Sequence, residues 1–375
     1  MERYLRHDLI DWFDQEHLKR AHALVVGAGA VGNEVIKNLA LLGIGAITIV
    51  DFDSIEIHNL TRSVLFSEND IGRYKADVAA EGARRLDPNC QVKSIVGDIW
   101  DSIDFATLRT CTVVFSCVDG FMARIRINQL CNLLGVDLIN AGIDSRFVSA
   151  EIFPFMRDPD AGCYECTLPP SVYQRISERF SCGWLRKVAF EEKKVPTTAI
   201  TASFAGALAT SLFLYSFRDD VESGARRAFL DTVTLATSVI SLPKDSMCAC
   251  CGSRQKKQVT LKAKRSIDGI LADILPTLDA AVTVSDPILV SWDIMNCSTC
   301  GPAREVVFAL ASDFSDADTS CNRCGLMQRL ANIRDQFTIE ELSEFRGKNL
   351  PGKFVTAISG DTQILIELFN GENNE

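Results

Sequence analysis

Short apolar runs alternate with amphipathic segments through the first 155 residues, and this rhythm limits the fold more than any other feature of the sequence. Helical patterns begin at Gly32 and at Lys75, and another covers Phe121 to Leu134. Strands that alternate with helices predict an α/β fold with a doubly wound, mainly parallel, Rossmann-like sheet. The apolar runs predict buried strands at Ala23 to Val26, Ala46 to Val50, Val92 to Val96, Thr112 to Cys117 and Val136 to Asn140.

The pattern changes after this region. Residues of about 157–195 are polar and rich in charge, which indicates a long crossover loop. From Val195 to Phe217 no residue is charged, so this stretch is either a buried helix or a membrane span. Its many hydroxyl and small side chains favour the buried helix. Paired strands are expected from Ala225 to Ile240.

The last third of the chain lacks the alternating rhythm. It contains a short helical pattern at Ser266 to Leu275, a capping box from Thr338 to Glu341, and a hairpin of Phe354 to Ile358 with Gln363 to Phe369. We therefore predict one domain over residues 1–253 and a small α+β module over residues 254–375.

Composition narrows the class of protein. The net charge is -10, which opposes attraction to nucleic acid or to an anionic membrane surface, so neither is an expected partner. The chain has 14 cysteines, but its amino terminus is charged and shows no signal peptide. C-x-x-C spacing suits a metal better than long-range disulfides, and we expect a reducing, cytoplasmic location.

A glycine motif follows the first predicted strand. In Gly27-Ala-Gly29-Ala-Val-Gly32, the glycines permit a tight turn, close approach of a phosphate, and packing of helix on strand. The next strand ends at Asp51, at the spacing where an acid binds ribose hydroxyls. These residues predict a nucleotide fold and leave NAD and ATP open.

Charged residues downstream favour ATP. Asn59, Arg62 and Lys75 follow Asp51 and could hold a triphosphate and neutralise its charge, which a dinucleotide does not need. The fourth strand is followed by Asp119, a carboxylate placed to bind Mg²⁺.

With these motifs in order, residues 1 to 252 resemble the ThiF/MoeB/HesA-like enzymes, which share their fold with ubiquitin-activating enzymes. The chain departs from the family pattern at Ala30 and Ser63. The matching motifs are Arg3-Tyr-Leu-Arg6, Gly27 to Gly32, Asp51-Phe-Asp53, Asn59 to Arg62, Gly72-Arg-Tyr-Lys75, Ser116 to Asp119 with Arg124, and Cys163-Tyr-Glu-Cys166.

The resemblance implies an activity and a set of roles. Such enzymes use ATP to adenylate the terminal glycine of a ubiquitin-like or sulfur-carrier protein. By position, Asp51 with Asp53 would serve the nucleotide, Asp119 would bind Mg²⁺, and Arg6 would reach into the site of a partner subunit. The expected species is a homodimer.

Four C-x-x-C pairs predict two Zn²⁺ sites. Cys163 and Cys166 pair with Cys248 and Cys251, which lie far apart in sequence, and Cys250 makes the second pair ambiguous. In the last third, the pairs resemble a zinc ribbon, and a glycine follows each; a redox dithiol is the alternative. The ribbon cysteines are Cys297, Cys300, Cys321 and Cys324.

Cys182 stands alone in the crossover loop. A thiolate there could capture the adenylate as a thioester and pass the carrier to a conjugating enzyme, or it is an ordinary loop thiol. Three functions stay open beside this one: an adenylyltransferase for a sulfur carrier in cofactor biosynthesis, an NAD-dependent oxidoreductase, and a non-catalytic scaffold.

Overall fold

The computed structural model describes ten stretches of the chain, which fold into two compact units. Unit 1 comprises Met1–Thr167 and Val195–Gly252, and unit 2 comprises Leu168–Lys194 and Ser253–Glu375. From residue 174 the predicted crossover loop, with Cys182, lies outside the described residues. These are residues 2–173, 197–218, 223–252, 255–273, 281–292, 297, 299–301, 308–310, 320–326 and 330–369.

Unit 1 contains an eight-stranded sheet in the order β3-β2-β1-β4-β5-β6-β7-β8. The first five strands in this order are parallel neighbours, and β6 to β8 continue the sheet antiparallel. The predicted mainly parallel α/β fold is confirmed, and β6 is an addition to it. The strands are β1 (His22–Val26), β2 (Ala46–Asp51), β3 (Gln91–Val96), β4 (Val113–Ser116), β5 (Asp137–Ile143), β6 (Phe147–Phe153), β7 (Arg226–Asp231) and β8 (Thr237–Ser241).

The helices of unit 1 include those predicted after Gly32, at Lys75 and at Phe121. Two of them end where a glycine takes the left-handed conformation that stops a helix, Gly43 after α2 and Gly135 after α6. The helices are α1 (Gln15–Arg20), α2 (Ala30–Leu42), α3 (Lys75–Leu86), α4 (Ile99–Ser102), α5 (Phe105–Thr110), α6 (Phe121–Leu134) and α7 (Ala199–Tyr215).

The uncharged stretch forms α7, which packs on α2 in the core of unit 1. A Cβ added to Gly206 would lie 2.4 Å from Glu34 Cβ, so the two helices touch where only glycine fits. Ser203 Oγ donates to Glu34 Oε1 at 2.9 Å. Within the described residues, no helix has both the length and the apolar character needed to span a membrane.

The strand order reverses between β1 and β4, and the loops that leave these two strands begin side by side. Val26 pairs with Ser116, and the Cys117 amide donates to the Val26 carbonyl at 2.9 Å. In open α/β sheets the crevice at this reversal, beyond the carboxyl ends of the strands, is where ligands bind. The glycine motif and Asp119 therefore start at the same place.

Unit 2 is built on a six-stranded sheet, in which β11-β10-β13-β14-β9 are neighbours and β12 also pairs with β10. Its terminal hairpin and its capping box at Thr338 are as predicted. The elements are β9 (Gln255–Lys264), α8 (Ile267–Asp273), β10 (Ala281–Trp292), β11 (Ala309–Leu310), β12 (Leu330–Phe337), α9 (Ile339–Ser343), β13 (Phe354–Ser359) and β14 (Thr362–Phe369).

The long strands β9 and β10 are not apparent in the sequence. β10 contains Pro287, and a proline inside a run normally argues against a central strand. The structure accommodates it because the pairing of β10 with β12 shifts register between Thr283 and Ile288. β9 carries several lysines, which lower its apparent β propensity.

Candidate functional site

The glycine motif forms a tight turn between β1 and α2. Gly27 has φ 91°, and a Cβ there would lie 2.7 Å from the Cys117 carbonyl oxygen. A Cβ on Gly32 would lie 1.9 Å from the Gly27 carbonyl oxygen, whereas Gly29 has open space around it. Gly29 is the N-cap of α2 and supplies no side chain to its first amides. Those amides can therefore serve an anion.

Asp51, the last residue of β2, fastens this turn. Its carboxylate accepts from the amides of Ala28 at 2.6 Å and Asp53 at 2.7 Å. Burial raises the pKa of Asp51, and the two amide hydrogen bonds oppose this rise. Because each carboxylate oxygen can accept a second hydrogen bond, Asp51 retains capacity for a ribose hydroxyl.

Asn33 is a participant that the sequence analysis missed. It is 0% exposed, and its Nδ2 donates to the Ala28 carbonyl at 2.7 Å and to the Gly29 carbonyl at 3.1 Å. Its Oδ1 accepts from the Leu65 amide at 2.9 Å. Asn33 thus joins the glycine turn to the segment that carries Arg62. The available signal in the sequence is an amide directly after the last glycine of the motif.

Two of the predicted phosphate ligands lie on this segment. Asn59 is buried, and its Oδ1 closes a short turn by accepting from the Glu56 amide at 2.9 Å. Arg62 is half-buried, and its guanidinium donates to the His58 carbonyl at 2.7 Å. Both residues are held by main-chain atoms of their own loop.

Lys75 begins α3 and pairs with Asp53. Its Nζ lies 2.7 Å from Asp53 Oδ2, and the Lys75 side chain is 11% exposed. The Lys75 amide also donates to the Asp53 carbonyl at 2.9 Å. A partly buried ammonium whose carboxylate partner is exposed can exchange that partner for a phosphate oxygen.

Asp119 brings the charges of the site together. It is exposed to solvent, yet the protein around it raises the pKa of its carboxyl by desolvation. The cations Arg124, Lys75 and Arg62 oppose this rise, and the Asp53 carboxylate adds to it. Residues from the β2–α3 connection, from the start of α3 and from α6 therefore act on one carboxylate.

Arg6 lies exposed in the amino-terminal segment. Cys182, with the neighbouring Arg179, Arg186 and Lys187, is outside the described residues. Its predicted capture of an acyl group stays a prediction.

The first cysteine cluster has the geometry of a zinc site. The four sulfurs of Cys163, Cys166, Cys248 and Cys251 all lie within 4.8 Å of one another. The sulfur of Cys163 lies 3.6 Å from that of Cys248 and 3.9 Å from that of Cys166, and the sulfurs of Cys166 and Cys251 are 3.3 Å apart. Four thiolates about 2.3 Å from Zn²⁺ would be about 3.8 Å apart, so the donors fit this ion. Cys250 is outside the group, and its Sγ accepts from Asn128 Nδ2 at 3.5 Å.

The second cluster, in unit 2, brings together Cys297, Cys300, Cys321 and Cys324 within the same 4.8 Å. Gly301 and Gly325, the glycines after the two pairs, have φ of 76° and 71°. Their amides donate back to Cys297 and Cys321 carbonyls at 2.8 Å each. These are the turns predicted for a zinc ribbon, and the four sulfurs again suit Zn²⁺.

Comparison with known proteins places these features in a family. The chain is 38% identical over 156 residues to human ubiquitin-like modifier-activating enzyme 7, covering 37% of this chain and 15% of that protein. It is 29% identical over 219 residues to the sulfur carrier protein adenylyltransferase of Thermus thermophilus, covering 57% and 80% of the two chains.

Solved structures with a similar fold are also found. The crystal structure of E. coli MccB with ATP superposes with a TM-score of 0.50 and 26% identity, over 64% of this chain and 68% of that one. The chain spans only 15% of the human relative and 62% of the SAMP-activating enzyme E1 of Haloferax volcanii. A family model described as "ThiF family" matches residues 2–272, and the chain therefore belongs to the ThiF family.

Proposed function

We propose that this chain uses ATP and Mg²⁺ to adenylate the terminal glycine carboxylate of a small carrier protein. The observation that carries the proposal is that the charges of Arg62, Lys75 and Arg124 all act on Asp119, whose loop begins beside the glycine turn. A dinucleotide diphosphate is held mainly by backbone amides and does not need these cations. A triphosphate attacked by a carboxylate does.

In the proposed reaction a carboxylate oxygen attacks the α-phosphorus, the bond to the bridging oxygen breaks, and pyrophosphate leaves. Two negative groups must meet, so cations lower the barrier, and no general base is needed. Asp51 would orient the ribose, while Asn59, Arg62 and Lys75 would hold phosphate oxygens. Mg²⁺, when bound at Asp119, would neutralise further charge on the phosphates.

The closing experiment is ATP–pyrophosphate exchange with a panel of small proteins that end in glycine. We expect exchange with at least one of them, and we expect Arg62→Ala and Asp119→Ala to abolish it while the fold survives. Arg146→Ala is the control, because this exposed arginine pairs with Asp231 on β7, which lies three strands away from β4 in the sheet. Full exchange in both site variants would refute the assignment.

The fate of the adenylate divides the proposal. We infer that the carrier is ubiquitin-like and is captured by Cys182 as a thioester, for transfer to a conjugating enzyme. Support comes from the identity to the human ubiquitin-like modifier-activating enzyme. A thiol-sensitive adduct that Cys182→Ser cannot form is the expected result.

The second candidate is activation of a sulfur carrier. Its support is the Thermus thermophilus adenylyltransferase, of which this chain covers 80%. In that case exchange proceeds in Cys182→Ser with no thioester at any time. Tight NADH binding with tolerance of Lys75→Ala would instead favour the oxidoreductase.

Assembly and the last third of the chain complete the proposal. We propose a homodimer in which Arg6 reaches the partner's nucleotide, so Arg6→Ala should lose exchange and a mixture with an Asp119→Ala chain should recover part of it. Residues 254–375 would bind a partner protein.

A further inference from the structure

We propose that a buried polar chain couples the first cysteine cluster to the adenylation site, with Asn140, Glu151 and Arg227 as positioning residues. The inference rests on the proposed function, because it concerns how Asp119 and the nucleotide sense the cluster. Its evidence is a continuous set of hydrogen bonds within unit 1.

The hydrogen-bonded series starts at Arg124, which lies one turn into α6 and acts on Asp119 through its charge. Arg124 Nη1 donates to Asn140 Oδ1 at 2.6 Å, and Nη2 donates to the Ala141 carbonyl at 2.7 Å. Both acceptors are on β5. The direction of the guanidinium is therefore set by a neighbouring strand.

The hydrogen-bonded series continues through three side chains that face one another across β5, β6 and β7. Asn140 is paired with Glu151, and Glu151 with Arg227, in the strand register. Asn140 Nδ2 donates to Glu151 Oε2 at 2.9 Å, and Arg227 Nε donates to Glu151 Oε1 at 2.6 Å. Asn140 and Glu151 are 4% and 5% exposed, so water competes little for these bonds.

The hydrogen-bonded series ends beside the first cysteine cluster. Arg227 Nη2 lies 3.0 Å from Thr167 Oγ1, and that hydroxyl donates to the Tyr164 carbonyl at 2.8 Å. Thr167 directly follows Cys166, and Tyr164 lies between the first two cysteines. A shift of the backbone at Cys163 and Cys166 would therefore move the Thr167 hydroxyl that Arg227 contacts.

A second route joins the same segment to α6. The Tyr164 amide donates to Asn128 Oδ1 at 2.9 Å, and Gln129 Nε2 donates to Glu165 Oε1 at 3.0 Å. Asn128 is 0% exposed. Helix α6 begins two residues after Asp119, so a helix held at Arg124 and at Asn128 carries the geometry of the cluster to the nucleotide end.

This arrangement predicts reciprocity. If zinc in the cluster favours the nucleotide-binding geometry, the bound nucleotide must hold the zinc more tightly by the same factor. A purely local zinc clip would not respond to nucleotide.

The test uses the full chain loaded with zinc, Mg²⁺, the ATP analogue AMPCPP, and a chromogenic chelator in excess. Calorimetry first measures AMPCPP binding, which tests the proposed function by itself. Zinc release is then timed with and without saturating AMPCPP. Cys324→Ser removes the ligand set of unit 2 and identifies the phase that belongs to the first cluster.

We expect AMPCPP to slow that phase about tenfold, the lower end of what outer partners of metal ligands contribute. Asn140 and Arg227 donate to different oxygens of Glu151. Glu151→Gln should keep both zinc sites and lose most of the slowing, because it replaces one of these oxygens by an NH2 group that cannot accept. Asp231→Asn is the matched control, because it makes the same carboxylate-to-amide change on β7, at an ion pair with the exposed Arg146, and it should keep the slowing.

Thr167→Val repeats the test at a half-buried position where the shape of the side chain is conserved, should Glu151→Gln fail to fold. Equal release with and without AMPCPP in the wild-type protein would overturn the coupling. So would full slowing in both variants. Absence of AMPCPP binding to the wild-type protein would instead remove the proposed function on which the coupling rests.

Discussion

Asn33 should be the most sensitive single position in the nucleotide end of unit 1. Replacing it by alanine removes three hydrogen bonds at a residue that is 0% exposed. The Leu65 amide loses its acceptor, and an unsatisfied buried group costs about 1 to 3 kcal/mol. With the lost packing of the amide, we expect Asn33→Ala to lower the free energy of unfolding by about 3 kcal/mol.

Urea unfolding and AMPCPP calorimetry measure the two consequences. Asn89→Ala is the control: Asn89 is exposed, and its loss should change stability by less than about 0.5 kcal/mol. Because Leu65 anchors the segment of Arg62, the Asn33 variant should also bind AMPCPP about tenfold more weakly. A stability within about 1 kcal/mol of wild type, with full affinity, would refute the anchoring role.

Three further predictions concern other positions. Burial lowers the pKa of His22, so the folded protein binds this proton less tightly than the unfolded chain does. The free energy of unfolding should therefore fall as the pH drops through the ordinary histidine range at ~6.5. In His22→Gln the urea midpoint should fall less over this range, and an unchanged fall would contradict the prediction. Gly32→Ala should destabilise unit 1 by about 3 kcal/mol in urea unfolding, because its Cβ meets the Gly27 carbonyl, whereas Gly29→Ala should keep stability and weaken AMPCPP binding; equal unfolding curves would contradict this. Cys163→Ala should leave one zinc of two per chain by elemental analysis, and two zinc ions in that variant would argue against the first cluster.

The parallel half of the sheet could be predicted because four of its five strands, all but the edge strand β3, are buried on both faces. Such strands are continuous apolar runs, and the helices between them keep a clear 3.6-residue period. β6 does not follow this rule. Its buried face includes Glu151, and a charged residue inside a short apolar run hides a strand whose ionic partner, Arg227, lies 76 residues away. Only the fold reveals that the two charges satisfy each other.

The sequence indicated which residues belong to the candidate site better than it indicated which groups they contact. The motif residues Asp51, Arg62, Lys75 and Asp119 meet at one end of the sheet. Local spacing could not reveal that Arg62 rests on the His58 carbonyl, or that Lys75 is paired with Asp53. These contacts depend on loop conformations, which few sequence signals determine.

The pairing of Lys75 with Asp53 bears on the choice between nucleotides. Three cations and three carboxylates meet in the site: Arg62, Lys75 and Arg124 with Asp51, Asp53 and Asp119. These opposite charges balance one another in a chain whose net charge is -10. Because Asp53 is 52% exposed, water can hydrate its carboxylate when Lys75 moves from it to a more highly charged phosphate. A diphosphate held by backbone amides would gain little from that exchange, whereas a triphosphate approached by a carboxylate gains a cation where negative charge builds up.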